Sequence, residues 1–172
     1  MSNIHDFIIK VYNAAQGGEV SPVFTTAQAG LESGWGAHAP GNNFFGITKG
    51  SNWNGKVQLL NTIEYFSRDS VRFAPPETVL SITKLEDGRY MYRVKRLFKV
   101  FDSMSDCLAE HERLFRKPIY ADAWPYRKDP VEFARRITDN VGGKYATAAN
   151  YFSKLKSAID MVKKEIGQDE KG

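Results

Sequence analysis

The sequence predicts an α+β fold in which helices bracket a small antiparallel sheet. Two patterns carry that expectation. Apolar residues recur at helical spacing up to Ser33 and again from Ser103 onward. Between these stretches the composition turns β-rich, and Asp87-Gly88 supplies a hairpin signal. Such a layout implies one domain over residues 1–167, with a β-lobe at about 57–102, a cleft between the lobes and a frayed tail at 168–172.

Each element has a local reason. Phe7, Ile8, Val11, Tyr12 and Ala15 share one helical face, with Ser2 or Asn3 as cap and Gly17-Gly18 as stop. Ser21-Pro22 reads as N-cap and first residue of a second helix, whose stripe is Val23, Ala27, Gly30 and Leu31. Residues 37–55 are too rich in glycine for a helix and read as a long shaped loop. Strands follow at 57–67, 78–84 and 90–101. In the last, Tyr90, Tyr92, Val94, Phe98 and Val100 face one way, while Arg93, Lys95 and Lys99 form a basic outer face.

Ser103 with Asp106 opens a third helix, with Met104, Cys107, Leu108, His111, Leu114 and Phe115 inward. A loop at 117–128 holds Tyr120, Trp124 and Tyr126. Asp129-Pro130 starts a fourth helix, inward at Ala134, Ile137 and Val141 and closed by Gly142-Gly143. The last helix carries Phe152, Leu155, Ile159, Val162 and Ile166.

Composition removes several function classes. Hydrophobic residues make up 42% and charged residues 26%, which excludes wholesale disorder. No apolar run reaches the ~18 residues of a membrane span. Residues 1–16 carry Asn3, His5 and Asp6 and lack the pattern of a secretory signal. A single cysteine, Cys107, rules out an internal disulfide, and three unclustered histidines argue against a metal site. The +4 charge suits a polyanionic partner, yet no nucleic-acid motif accompanies it.

Glu32 stands out as a general acid. It ends a predicted helix, where the dipole favours the protonated carboxyl, and Trp35, Phe44 and Phe45 are expected to desolvate it. Glu64 shares a strand face with Leu60, Thr62 and Phe66, a costly place for an unpaired charge. Two carboxylates flanking a bond are the usual equipment of a glycosidase; the plainer alternative pairs Glu64 with a lysine at the rim. Tyr120, Trp124 and Tyr126 suit either sugar stacking or core plugs. His111 lies on an apolar stripe and reads as a core histidine.

Residues 28–36, Gln-Ala-Gly-Leu-Glu-Ser-Gly-Trp-Gly, and 42–47, Asn-Asn-Phe-Phe-Gly-Ile, resemble the signature of glycoside hydrolase family 73. These are peptidoglycan N-acetylglucosaminidases, including flagellar rod-assembly hydrolases, autolysins and phage endolysins. The resemblance continues through Trp53-Asn54-Gly55, residues 62–65 and 98–103, and ends in Tyr145-Ala-Thr-Ala-Ala-Asn-Tyr151. It implies a lysozyme-like fold with Glu32 as catalytic acid, Glu64 as second acidic residue and Tyr145 pointing into the active site. Asn43, Phe44, Gly46, Trp53, Tyr65, Tyr151 and Trp124 are the expected substrate contacts. Phe44 replaces the usual leucine, and Ala148 the usual aspartate.

The function so implied is cleavage of the β-1,4 bond between N-acetylglucosamine and N-acetylmuramic acid in the bacterial glycan strand. Neither cofactor nor metal is called for. The expected setting is a monomeric phage or prophage endolysin, made in the host cytoplasm and acting on the wall after release. A muramidase or lytic transglycosylase, and a non-catalytic wall-binding module, are the rival readings.

Overall fold

The computed structural model describes residues 3–140 and 148–171. Its helices are α1 (Ile4–Ala14), α2 (Pro22–Ser33), α3 (Met104–Phe115), α4 (Pro130–Asn140) and α5 (Ala148–Lys171), and its strands are β1 (Val57–Phe66), β2 (Thr78–Lys84) and β3 (Tyr90–Lys99). Short 3₁₀ turns lie at Pro40–Asn42, Pro118–Tyr120 and Trp124–Tyr126. The α+β expectation is met. The chain divides into two compact units, one formed by residues up to Gly46 and from Phe101 onward, the other by Ile47–Val100.

Side-chain caps start the helices of the first unit. Asn3, Ser21 and Ser103 accept from the backbone N–H three residues on, satisfying donors that a helix start leaves open. Asp129 does the same for Glu132 N–H before α4. Ile8, Phe24, Phe133, Leu155, Ile159 and Val162 are fully buried in one core cluster. Each such side chain contributes about 1.5–3 kcal/mol through removal from water. His5 Nδ1 and Glu165 Oε2, 2.7 Å apart, tie α1 to α5.

Helix α2 departs from the expected single stripe. Phe24 through Gly30 and Ser33 are all buried, whereas Val23 and Leu31 are only partly covered. The helix is built from small residues, so neighbouring helices close on it from several sides. Helix α5 runs to Lys171, through the segment expected to fray. Gln168, Glu170 and Lys171 are good helix formers, and neither proline nor a terminal glycine turn interrupts them before that point. Val141, Gly142 and Gly143 lie outside the described residues.

In the second unit the sheet order is β1-β3-β2, antiparallel throughout. A register shift between Val79 and Ser81 leaves Leu80 exposed. The unit begins earlier than the predicted lobe because the backbone at Ile47–Lys49 extends the sheet: Thr48 bridges Phe98, Lys49 N–H donates to Leu97 O, and Lys99 N–H donates to Ile47 O. Arg93 and Lys95 are exposed, as alternation predicts. Lys99 is not. Only 4% accessible, it places its ammonium 4.8 Å from the Trp53 ring centre, a cation–π contact that strand periodicity does not reveal.

Candidate active site

Glu32 occupies the last turn of α2, and the turn after it is tightly specified. Gly34 adopts the left-handed conformation (φ 59°, ψ 45°), and both its N–H and that of Trp35 reach the Gly30 carbonyl. This is a glycine C-cap of the Schellman type. The cap folds the Trp35 ring onto Gly30, where a Cβ would lie 2.3 Å from ring carbons. Ser33 Oγ donates to Ala29 O at 2.6 Å and accepts from Gly36 N–H at 2.9 Å. The backbone carrying Glu32 is thereby held on both sides of the residue.

The aromatic residues do not wrap Glu32 as expected. Its side chain is exposed. Trp35 lies edge-on to Phe7, Phe44 packs against Phe7, and Phe45 stacks on His111 with ring centres 3.6 Å apart. All three are partly buried against the core of the unit, where ring–ring packing returns more than shading one carboxylate. A hydroxyl does reach Glu32: Tyr151 Oη donates to Glu32 Oε1 at 2.9 Å. Tyr151 in turn accepts from Gln28 Nε2 at 3.0 Å. Tyr151, named above as a sugar contact, is thus placed within hydrogen-bonding reach of Glu32.

Helix α3 supplies the layer behind. His111 Nε2 sits 2.5 Å from Gln28 Oε1. Burial pushes the His111 pKa down to about 3, so the ring is neutral. Cys107, one turn earlier, has its thiol pushed up to about 11, chiefly by burial, and carries no thiolate for nucleophilic work.

In the sheet unit, Glu64 accepts from Arg96 Nη1 at 2.9 Å, and Arg96 Nε donates to Glu77 Oε2 at 3.1 Å. Burial disfavours the Arg96 charge, but the hydrogen bonds to both carboxylates outweigh it and raise its pKa. Sequence reasoning looked for a lysine beside Glu64 and missed this arginine; β1–β3 pairing brings it close, with Leu60 opposite Arg96 and Glu64 opposite Tyr92.

The remaining predicted contacts separate. Asn43 is buried. Gly46 is exposed with a positive φ of 62°, and beyond its chain neighbours a Cβ there would meet open space. Trp53 donates from Nε1 to Lys56 O and lies flat over Gly55. Tyr65 is exposed under the Arg89 guanidinium, 5.0 Å from its ring centre. Trp124 is a plug: it packs on the core cluster, flanked by Arg127 at 4.8 Å and Arg116 at 5.7 Å. Tyr145 lies outside the described residues.

An open groove of about 650 Å³ is lined by Tyr126, Glu132, Arg135 and Arg136 among others, and includes none of the predicted site residues. Among the described residues, no group of three or more His, Cys, Asp or Glu is arranged to hold a metal, and no helix is long and apolar enough to cross a membrane.

The glucosaminidase family, described as mannosyl-glycoprotein endo-β-N-acetylglucosaminidase, matches residues 10–164. The chain belongs to it. Peptidoglycan hydrolase FlgJ of Salmonella typhimurium is 31% identical over 145 residues, 80% of this chain and 38% of that protein. The chain therefore spans well under half of that relative. A peptidoglycan hydrolase mutant from Sphingomonas sp. A1 superposes with a TM-score of 0.68 at 27% identity, covering 95% of this chain and 99% of that one. The glycoside hydrolase domain of Salmonella typhimurium FlgJ gives 0.68 at 25% identity, over 98% and 94%. These glucosaminidase-family matches carry the fold of family 73 hydrolase domains to this chain, and Glu32 falls within the matched span.

Proposed function

We propose that this glucosaminidase-family chain hydrolyses the β-1,4 bond between N-acetylglucosamine and N-acetylmuramic acid in peptidoglycan. The observation that carries the reading is Glu32 at the capped end of α2, accessible to solvent and hydrogen-bonded by Tyr151. Glu32 protonates the leaving oxygen. Glu64 activates water or stabilises developing charge, unless the substrate's own acetamido group supplies the nucleophile. Tyr145 helps to hold the substrate.

The setting proposed is that of a monomeric phage or prophage endolysin, made in the cytoplasm and acting on the wall after release. Membership of a family that includes endolysins supports it, and a holin gene beside the coding sequence is the expected genomic sign. A single symmetric peak of monomer mass in sedimentation is the expected oligomeric result.

The bond is tested by the sugar left at the cut. Peptidoglycan is digested, reduced with borohydride and analysed by mass spectrometry. Reduced N-acetylglucosamine is expected; reduced N-acetylmuramic acid or anhydro-muropeptides assign the chain to muramidases or transglycosylases instead. Glu32→Gln keeps the fold and loses about 10²–10⁴-fold in rate, because an amide has no proton to give.

A further inference from the structure

We infer that His111, Gln28 and Tyr151 form a one-way hydrogen-bond relay that positions the Glu32 carboxyl from behind. The inference rests on the reading of Glu32 as the acid and extends it to three residues on three helices.

The direction follows from donor and acceptor chemistry. A tyrosine hydroxyl has one proton, and Tyr151 directs it to Glu32 Oε1 at 2.9 Å. Its lone pair then receives Gln28 Nε2–H at 3.0 Å. With its amide nitrogen so engaged, Gln28 presents Oε1 to His111 Nε2, 2.5 Å away, and that contact requires a proton on Nε2. The neutral ring has one N–H, so Nδ1 carries the lone pair and has no hydrogen-bond partner among the described residues. Every donor in the chain points toward Glu32.

The far end is built to stay in one state. His111 is 4% accessible and sits among Phe24, Phe45 and Phe115, with Phe45 stacked on its face. None of these three neighbours is charged. If His111 could not donate, the Gln28 amide would be free to flip and offer its oxygen to Tyr151. The hydroxyl would then have two acceptors and would cease to be committed to Glu32. A buried histidine thereby acts at a distance through a single amide orientation. Gln28 and Glu32 lie four residues apart on α2, so the central amide and the carboxyl it serves share one helical face.

The test measures kcat and apparent KM on soluble uncrosslinked glycan strands for Glu32→Gln, Tyr151→Phe, His111→Leu, His111→Gln and the Tyr151→Phe/His111→Leu double variant. Tyr151→Phe and His111→Leu are expected to lower kcat about tenfold or more at unchanged apparent KM, as small misplacements of a reacting group do. The double variant should be no slower than the worse single, since both act through the same contact. His111→Gln keeps an N–H donor and should restore kcat close to wild type. A raised KM with unchanged kcat in Tyr151→Phe would make that residue a sugar contact and overturn the relay. Additive losses, or His111→Gln as slow as His111→Leu, overturn it as well. Should His111→Leu fail to fold, Tyr151→Phe and His111→Gln decide alone. An inactive Glu32→Gln beside a fully active Tyr151→Phe sinks the relay only. A fully active Glu32→Gln sinks the catalytic reading and takes the relay with it.

Discussion

Arg96 divides its guanidinium between two carboxylates, Nη1 to Glu64 at 2.9 Å and Nε to Glu77 at 3.1 Å. Glu77 is itself anchored by Leu97 N–H at 3.0 Å. One cation thus serves two anions, with the fixed partner on one side and the proposed working carboxylate on the other. The arrangement fixes the Glu64 side chain in place on its face of β1.

Glu64→Gln separates the structural and chemical uses of this residue. The amide oxygen still accepts from Arg96, so stability should fall by no more than about 1 kcal/mol. Activity should fall by about 10²-fold or more if Glu64 activates water. Urea unfolding and wall-lysis rates measured on the same preparation check both numbers. Unchanged lysis would leave Glu64 as a partner for Arg96 and favour the acetamido route.

Gly30→Ala probes the cap beneath Glu32. The new methyl meets the Trp35 ring at 2.3 Å, and Trp35 is held at a positive φ of 56° with little freedom to retreat. Overpacking of about 1–3 kcal/mol should exceed the helix-propensity gain of about 1 kcal/mol from replacing glycine. A lowered Tm with altered tryptophan fluorescence is expected. An unchanged or raised Tm would show that the ring moves aside without loss.

His111 makes stability depend on pH. Its folded pKa lies at about 3, below the ordinary 6.5 of a free histidine, so the unfolded chain takes up the proton first as pH falls. The contribution is fully present above about pH 6.5 and is lost progressively toward pH 3. The slope approaches about 1.4 kcal/mol per pH unit for one proton. His111→Gln should remove that component, so the wild-type minus variant difference in urea stability should shrink between pH 7 and pH 4. A constant difference would count against the buried neutral ring.

Wall capture should weaken with salt through Arg93 and Lys95, the two exposed cations of β3. Exposed charges are screened beyond about 10 Å at 0.1 M salt. An Arg93→Glu/Lys95→Glu variant should bind walls less and respond less to sodium chloride in a pull-down. Equal binding by both proteins at every salt concentration would make the basic face incidental.

Much of the fold was legible because its signals are local. The caps at Asn3, Ser21, Ser103 and Asp129 need only a side-chain oxygen and a backbone N–H three residues later. Strand β2 matches its predicted span, and β1 and β3 end only slightly sooner. Helix α2 hid its burial because periodicity detects a face, and a helix enclosed by neighbours has no contrasting one. At the candidate site the sequence singled out two carboxylates but not the side chains that hold them. Gln28 and Tyr151 are 123 residues apart, and Arg96 reaches Glu64 only once β1 and β3 pair. Lys99 misled because an aromatic ring covers it from outside the strand.

The helix that presents Glu32, α2, packs on α5, which lies more than a hundred residues further along the chain. Among the described residues α2 packs more extensively on α5 than on any other helix, and Tyr151 belongs to α5. A chain still emerging from the ribosome therefore carries Glu32 without its hydroxyl partner and with the apolar sides of α2 uncovered. Pairing so distant in sequence is slow to form and comes late in folding. Glu32 therefore meets the Tyr151 hydroxyl only after α5 has been made.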